Sequence, residues 1–307
     1  MSAFNPEAAP RREAQEQAPK PAKIRLELFR HDAKTKDTVA GPREGDSEVR
    51  LTPEGRKHAT EVGKAKDPKP EVSISYGSPR ERAQETALRH MLANDERITG
   101  DSSLEEMREL IGGELKYGRK DAISPLLDFE MEGNPEFNKV AYDHYLNKKD
   151  MLDWLKNESD DVVRQLNDPD SSSYSRQAGN VAELIQKYVK VYPRWKQIVD
   201  QDPQKYAEFD NEMQRHLGSH QGVTESFLMK VIEKTEGREG VDRFIDSLSS
   251  RNGFDLSEGF SVNISGDEQE PTLTFRFRDQ EWQVSPSMIE QMVQERDELN
   301  NETKGGE

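Results

Sequence analysis

Hydrophobic and polar residues alternate from Ile24 to Phe29, which is typical of a half-buried strand. A second alternating run, Val72 to Tyr76, follows a helix predicted from Thr52 to about Lys64, in which Thr52 is the cap and a proline takes the first helical position. Another helix is predicted from about Arg80 to Leu92. The order strand, helix, strand, helix at this spacing predicts an α/β fold with a parallel sheet.

The later part of the chain continues this pattern with one long interruption. Residues from about 119 to 212 are charged, with apolar positions at helical spacing, and they predict a helical insert. An amphipathic helix is expected from Gly222 to Lys234, strands over Glu258–Ile264 and Pro271–Val284, and a last helix to about Glu298. The predicted organisation is therefore a disordered arm at 1–22, one domain at 23–299 and a disordered tail at 300–307.

Composition narrows the class of protein. The 307 residues carry a formal net charge of −16, which argues against a nucleic-acid or membrane partner. No cysteine is present, so disulfides and thiolate chemistry are excluded. No apolar run approaches the roughly 20 residues of a membrane span, and no signal-peptide pattern opens the chain. We expect a soluble, cytoplasmic protein, whose oligomeric state the sequence leaves open.

Basic and imidazole side chains stand at three predicted strand ends or strand–helix turns. They are Arg30 with His31, Arg82, and His220. Phosphoryl transfer spreads negative charge over three oxygens, and its catalysis consists mainly of positioning and of stabilising that charge. Guanidiniums keep their charge, and a neutral imidazole nitrogen can attack phosphorus without a metal ion. A carboxylic acid would protonate the leaving oxygen.

These residues carry a resemblance to branch 1 of the histidine phosphatase superfamily, the phosphoglycerate mutase-like proteins, over about residues 24 to 265. Arg30-His31 matches the first two positions of the family's Arg-His-Gly motif. The segment Ser78 to Ala87 matches the pattern Ser-x-x-x-Arg-Ala-x-x-Thr-Ala at every fixed position. Ser219 to Val223 resembles the later His-Gly-Gly-Val motif, with Gln221 in place of a glycine.

The resemblance implies a three-layer α/β/α sandwich around a mostly parallel sheet. It also implies that His31 is the phospho-acceptor, with Arg30, Arg82 and His220 around the phosphate. The family's acid is a glutamate in a Leu-x-Glu-x-x-x-Gly-like stretch, and Glu109 fits this pattern best. Glu106 is the close alternative.

The predicted function is a metal-independent phosphomonoester hydrolase that forms a phosphohistidine on His31 and needs no cofactor. Its substrate would be a small phosphorylated molecule or a phosphoprotein. A phosphoglycerate-type mutase would use the same residues. A pseudoenzyme that senses a phosphorylated ligand or serves as a scaffold is the alternative from another class, because Asp32 replaces the glycine that follows the nucleophile. A carboxylate directed at the phosphate would repel it.

Overall fold

The computed structural model describes residues 20–35, 46–113, 121–129 and 133–304. The strands are β1 (Lys23–Arg30), β2 (Ser73–Gly77), β3 (Asp121–Ile123), β4 (Glu212–Ser219), β5 (Gly259–Gly266), β6 (Pro271–Phe277) and β7 (Gln280–Val284). The α-helices are α1 (Pro53–Lys64), α2 (Glu81–Met91), α3 (Leu104–Gly113), α4 (Pro135–Asp143), α5 (Met151–Trp154), α6 (Asp160–Leu166), α7 (Tyr174–Gln201), α8 (Val223–Ser247) and α9 (Pro286–Lys304). None of these described helices is both long enough and apolar enough to cross a membrane.

The described strands form one sheet in the order β3-β2-β4-β1-β5-β6-β7. The first four strands in this order pair in parallel. The pairings from β1 to β5, β5 to β6 and β6 to β7 are antiparallel. The prediction of a mostly parallel sheet is therefore imprecise, because short turns connect β5, β6 and β7, and a short turn forces antiparallel pairing.

Helices cover both faces of the sheet. The side chains of Leu26 and Leu28 on β1 belong to a large apolar core that also contains Ile185 of α7 and Phe227 of α8. On the opposite face, the ring of Phe29 packs against His90 of α2, with centroids 4.0 Å apart. The predicted three-layer α/β/α arrangement is confirmed, and the alternation of β1 separates its two layers of helices.

Three predicted boundaries need correction. The helical insert predicted for about 119–212 contains the edge strand β3, whose three residues are too few to give an alternating pattern. Helix α9 continues through 300–304, which were assigned to the disordered tail, because Thr303 is buried and accepts a hydrogen bond from Arg176 at 2.7 Å. At the other end Ala22 is buried. Residues 1–19 of the predicted arm, and 305–307, lie outside the described residues.

Candidate active site

The carboxyl ends of three neighbouring parallel strands meet at one edge of the sheet. Arg30, the last residue of β1, is paired in register with Ser219 of β4, and Gly77 of β2 is paired with Gly218. The backbone N–H of His31 donates to the carbonyl oxygen of Ser219 at 2.8 Å. Open α/β sheets bind ligands at this edge, and the three predicted basic elements converge there.

Two glycines let helix α2 approach the sheet at this edge. A Cβ atom on Gly218 would lie 2.2 Å from the carbonyl oxygen of Ala83, and one on Gly77 would lie 2.4 Å from Cγ of Gln84. Any larger residue at either position would push α2 outward. The close approach puts Arg82, in the first turn of α2, next to the ends of β1 and β4.

The imidazole of His31 is held in one orientation by two different partners. Its Nδ1 atom lies 2.7 Å from the carbonyl oxygen of Asp32, and its Nε2 atom lies 3.3 Å from Nε of Arg82. A carbonyl only accepts and a guanidinium only donates, so the proton is on Nδ1 and the lone pair is on Nε2. Burial, followed by the nearby His220 and Arg82, holds the pKa of His31 well below its usual range. The ring is therefore neutral at neutral pH, and its unprotonated Nε2, which accepts from Arg82, is the nucleophilic nitrogen.

Arg30 lies beside this ring on the side of the last loop before β5. Its Nη1 atom donates to the carbonyl oxygen of Phe254 at 2.6 Å, while its buried Nε has no partner among the described residues. Its positive charge also contributes to the low pKa of His31. Arg30 thus brings a second guanidinium close to the predicted nucleophile.

His220 is almost fully buried and contacts His31 edge to face, with ring centroids 5.2 Å apart. Its Nε2 atom lies 2.6 Å from Oγ of Ser78 and 3.3 Å from Oδ1 of Asp128. Its Nδ1 atom is buried and has no hydrogen-bond partner within the described part of the chain. Burial, together with the charges of Arg82 and Arg80, holds the pKa of His220 well below its usual range.

Asp46 already binds the two terminal nitrogens of Arg82, which are the nitrogens predicted to bind phosphate. Nη1 of Arg82 donates to the main-chain oxygen of Asp46 at 2.8 Å, and Nη2 donates to its Oδ2 at 3.0 Å. Arg80 also donates to this carboxylate, and Nζ of Lys34 lies 3.6 Å from Oδ1. Burial opposes ionisation of Asp46, but the guanidiniums of Arg82 and Arg80 outweigh it and lower the pKa of Asp46. Three cations thus converge on one anionic group beside His31.

The side chain of Asp32 points away from this anion-binding region. Its Oδ1 atom accepts from the N–H of Ala33 at 2.6 Å, and its Oδ2 atom accepts from Oγ of Ser257 at 2.5 Å and lies 2.6 Å from Nδ1 of His58. The carboxylate is satisfied by the loops on either side of the strand end. Only the main-chain oxygen of Asp32 contacts His31, so the departure from glycine puts no negative charge on the predicted phosphate position.

The two candidate acids lie on α3, and the structure distinguishes them. Glu106 caps the helix, because its Oε2 atom accepts from the N–H of Ser103 at 2.6 Å while its own N–H donates to Oγ of Ser103 at 3.1 Å. Glu109 is exposed, and no hydrogen bond or ion pair found among the described residues involves it. Glu109 as the acid stays a prediction, and Glu106 has a structural role.

Four charged residues of this site were not identified from the sequence: Lys34, Asp46, Arg80 and Asp128. Arg80 stands at a variable position of the Ser78–Ala87 pattern, so the pattern assigns it no role. Asp46 and Asp128 lie in short 3₁₀ turns or just after them, where no hydrophobic period exists. Of the four, only Arg80 had a signal in the sequence, because it lies in a cluster of arginines after Pro79.

Comparison with known proteins supports the motif assignment for the first third of the chain. Residues 26–116 match the model of the histidine phosphatase superfamily (branch 1). No curated protein matches the chain. The solved structures that are similar at low identity include the following three. "Mycobacterial hydrolase 2" is 12% identical, with a TM-score of 0.44, and the match covers 89% of this chain and 97% of that one.

The other two have named activities. Mycobacterial glucosyl-3-phosphoglycerate phosphatase is 13% identical with a TM-score of 0.42, and the match covers 82% of this chain and 97% of that one. Phosphoglycerate mutase from Bacillus anthracis str. Sterne is 15% identical with a TM-score of 0.38, and the match covers 89% of this chain and 98% of that one.

The family match and the strand-end geometry agree on the same residues. The matched range contains Arg30, His31 and Arg82, which meet at the carboxyl edge of the sheet, whereas His220 lies outside the range and joins them through β4. The resemblance to branch 1 of the histidine phosphatase superfamily is confirmed over residues 26–116.

Proposed function

We propose that the protein hydrolyses phosphomonoesters through a phosphohistidine on His31. The observation that carries the proposal is the hydrogen bonding of the His31 ring. The carbonyl oxygen of Asp32 accepts a hydrogen bond from the protonated Nδ1, and the unprotonated Nε2 lies 3.3 Å from Nε of Arg82. A neutral nitrogen nucleophile next to a fixed cation is what attack on a phosphoryl group requires.

In the proposed first step, the Nε2 lone pair of His31 bonds to phosphorus and the bond from phosphorus to the ester oxygen breaks. Arg30, Arg82 and His220 bind the phosphoryl oxygens. The leaving oxygen takes a proton, for which Glu109 is the predicted donor. In the second step, Glu109, now a carboxylate, takes a proton from the attacking water, the phosphorus–nitrogen bond breaks and inorganic phosphate leaves, which restores neutral His31 and protonated Glu109. Side-chain cations balance the developing charge, so we propose that no metal ion takes part.

The proposed substrate is a small phosphorylated molecule or a phosphoprotein. The bound phosphoryl group would take over the hydrogen bonds that Arg82 makes to Asp46. The net charge of −16 disfavours a polyanionic partner such as a nucleic acid. We further propose a cytoplasmic location.

A sensor that binds a phosphorylated ligand without turnover is the second candidate. The observation that favours it is that Asp46 occupies both terminal nitrogens of Arg82, Nη1 through its main-chain oxygen and Nη2 through its carboxylate. Such a protein would bind phosphate by exchanging one anion for another and would need no acid near the leaving group.

An aryl phosphate assay with a metal chelator present separates these functions. The proposed hydrolase turns over in chelator and accumulates an acid-labile phosphoenzyme, and His31→Ala abolishes both. Arg164→Lys serves as a control, because Arg164 is exposed and pairs with Asp161 and Glu302 on the surface.

Folded wild-type protein that binds phosphate but turns over no phosphomonoester would establish the sensor instead. Transfer of the phosphoryl group to an added alcohol in preference to water would indicate a mutase, and a requirement for metal would contradict the mechanism.

A further inference from the structure

Asp128 is a charged residue of the site to which the proposed reaction gives no role. It follows the turn Pro125–Leu127, which continues from the edge strand β3 toward the ends of β2 and β4. Its Oδ1 atom accepts from Nε of Arg80 at 2.8 Å and lies 3.3 Å from Nε2 of His220. Arg80 also donates to the carbonyl oxygen of Phe129 at 3.1 Å, which fixes the segment. Asp128 is therefore held beside Nε2 of His220.

The position of Asp128 restricts how His220 can carry its protons. An unprotonated Nε2 would place its lone pair against the carboxylate oxygen, which is unfavourable because both groups are acceptors. A proton on Nε2 instead bonds to Oδ1 of Asp128 or to Oγ of Ser78, which lies 2.6 Å away. The side chain of Ser78 is itself oriented, because its Oγ accepts from the backbone N–H of Arg80 at 3.2 Å. The hydroxyl of Ser78 can accept from Nε2 or donate to it, whereas the carboxylate of Asp128 can only accept, so it is Asp128 that favours the protonated form of Nε2.

The other nitrogen of the ring is then the one available to a ligand. Nδ1 of His220 is buried and unpartnered among the described residues, and the ring is in contact with His31. In the neutral ring with its proton on Nε2, Nδ1 has a lone pair. A phosphoryl oxygen bound next to His31 would then face that lone pair. Both are acceptors, so they cannot form a hydrogen bond and repel each other. Binding of the anion becomes favourable at this atom only if Nδ1 is also protonated.

The charges that face His220 come from several elements. Arg80 lies in the turn before α2 and Arg82 in α2 itself. Lys34 lies in a loop, Asp46 opens a 3₁₀ turn, and His31 directly follows β1. Burial and the two arginines keep the pKa of His220 low before a ligand binds, whereas the negative charge of Asp46 raises this pKa. A bound dianion adds two negative charges next to this ring, and Asp128 supplies a third on its opposite side. The balance of charge then shifts toward the protonated imidazole.

We propose that Asp128 is a positioning residue that holds the Nε2 proton of His220, so that His220 takes up a second proton on Nδ1 when a phosphoryl group binds. This inference rests on the proposed function, because it assumes that the anion of the substrate sits beside His31. The second proton comes from solvent. His220 then donates to a phosphoryl oxygen as an imidazolium, which is a stronger donor than a neutral ring.

The test uses sulfate as the probe, because sulfate stays a dianion across the pH range in which a phosphomonoester itself titrates. Calorimetry in buffers of different ionisation enthalpy measures the protons taken up per sulfate bound. A long-range proton–nitrogen correlation spectrum of the full chain reports which ring nitrogens are protonated, and His220→Gln identifies the signals of His220. We expect wild-type protein to show both nitrogens of His220 protonated in the sulfate complex.

Two substitutions separate charge from shape. Asp128→Asn keeps an oxygen that can accept from Nε2 and from Arg80 but removes the charge, and it is expected to reduce the proton uptake at least twofold and to weaken sulfate binding about tenfold. Asp128→Ala removes both. Asp121→Asn is the matched control, because Asp121 also lies in this edge segment and also pairs with an arginine, Arg108, which does not contact His220. The control is expected to keep the proton uptake of the wild type.

Each outcome decides one point. Equal proton uptake in wild type and Asp128→Asn would overturn the inference, and so would a sulfate complex whose His220 is neutral with its proton on Nδ1. Failure of folded wild-type protein to bind sulfate, together with absence of phosphatase activity, would overturn the proposed function itself. Turnover that persists while His220 remains neutral in the complex would overturn only the role of Asp128.

Discussion

Asp46 binds Arg82 with both its main-chain oxygen and its carboxylate, and it does so at the two guanidinium nitrogens that a phosphoryl group would use. The third nitrogen, Nε, points to the nucleophilic atom of His31 at 3.3 Å. Each nitrogen of the Arg82 guanidinium thus makes one hydrogen bond, Nε to His31 and the two terminal nitrogens to Asp46. An incoming phosphate has to compete with Asp46.

Asp46→Asn should strengthen binding of inorganic phosphate about three- to tenfold, because a neutral amide competes less well for Arg80 and Arg82. The same change should lower the melting temperature, since it leaves the buried guanidinium of Arg82 without its anion and leaves Arg80 with Asp128 as its one anionic partner among the described residues. Added phosphate should restore that loss. Calorimetry and thermal unfolding with and without phosphate measure both effects.

Glu48→Gln is the control for this prediction, because Glu48 lies in the same 3₁₀ turn and is exposed. It should leave phosphate affinity and melting temperature close to those of the wild type. Weaker phosphate binding by Asp46→Asn would mean that Asp46 supports the arginines and does not compete with the ligand.

Asp32→Gly restores the residue of the family motif and should nevertheless destabilise the protein. The substitution removes the acceptors of Ser257 and of the Ala33 N–H, both of which are in the loops around the strand end. Loss of these hydrogen bonds should lower the free energy of unfolding by about 1–3 kcal/mol, while KM for an aryl phosphate changes little. Urea unfolding and steady-state kinetics test this pair of results. A several-fold fall in KM would show that the carboxylate repels the substrate after all.

The sequence identifies the parts of the site that regular elements carry. The alternation of Ile24 to Phe29 leads directly to His31, and the fixed spacing of Ser78 to Ala87 identifies Arg82. Asp128 could not be found in this way, because a strand of three residues leaves no period. The orientation of Asp32 could not be found either, since it depends on Ser257, which lies 225 residues away in the chain.

Glu109→Gln tests the predicted acid. If Glu109 protonates the leaving group, kcat should fall about 10²- to 10⁴-fold for an alkyl phosphate. The loss should be much smaller for an aryl phosphate with an acidic phenol, because that leaving group needs no proton. The measurement is kcat for the two substrate types at one pH. Equal kcat values for the variant and the wild type on the alkyl ester would exclude Glu109 and shift attention to carboxylates inside the site.

Glu106→Ala provides the comparison within the same helix. Because Glu106 forms the capping box with Ser103, its loss should reduce the free energy of unfolding by about 1 kcal/mol. The ratio of alkyl to aryl turnover should stay the same. A change in that ratio would assign the acid to Glu106 despite its cap.

Acidification should destabilise the fold through two histidines outside the site. His90 and His216 are buried, and neither ring has a hydrogen-bond partner among the described residues. Burial, with the charges of Lys66 and Arg25, lowers the pKa of His216 to about 3, and burial followed by Lys66 lowers that of His90. In the unfolded chain both rings take up a proton near their ordinary pKa of about 6.5. The stability is therefore complete above that pH and is lost as the pH falls from about 6.5 toward 3.

Each of these rings should contribute a slope of up to about 1.4 kcal/mol per pH unit in that window. Urea unfolding of the wild type at a series of pH values measures the total slope, to which the buried His31 and His220 also contribute in the same direction. His216→Leu should make the slope shallower by about one proton, because leucine is close to imidazole in size and cannot be protonated. An unchanged slope in His216→Leu would mean that the ring is already protonated, or solvated, in the folded protein.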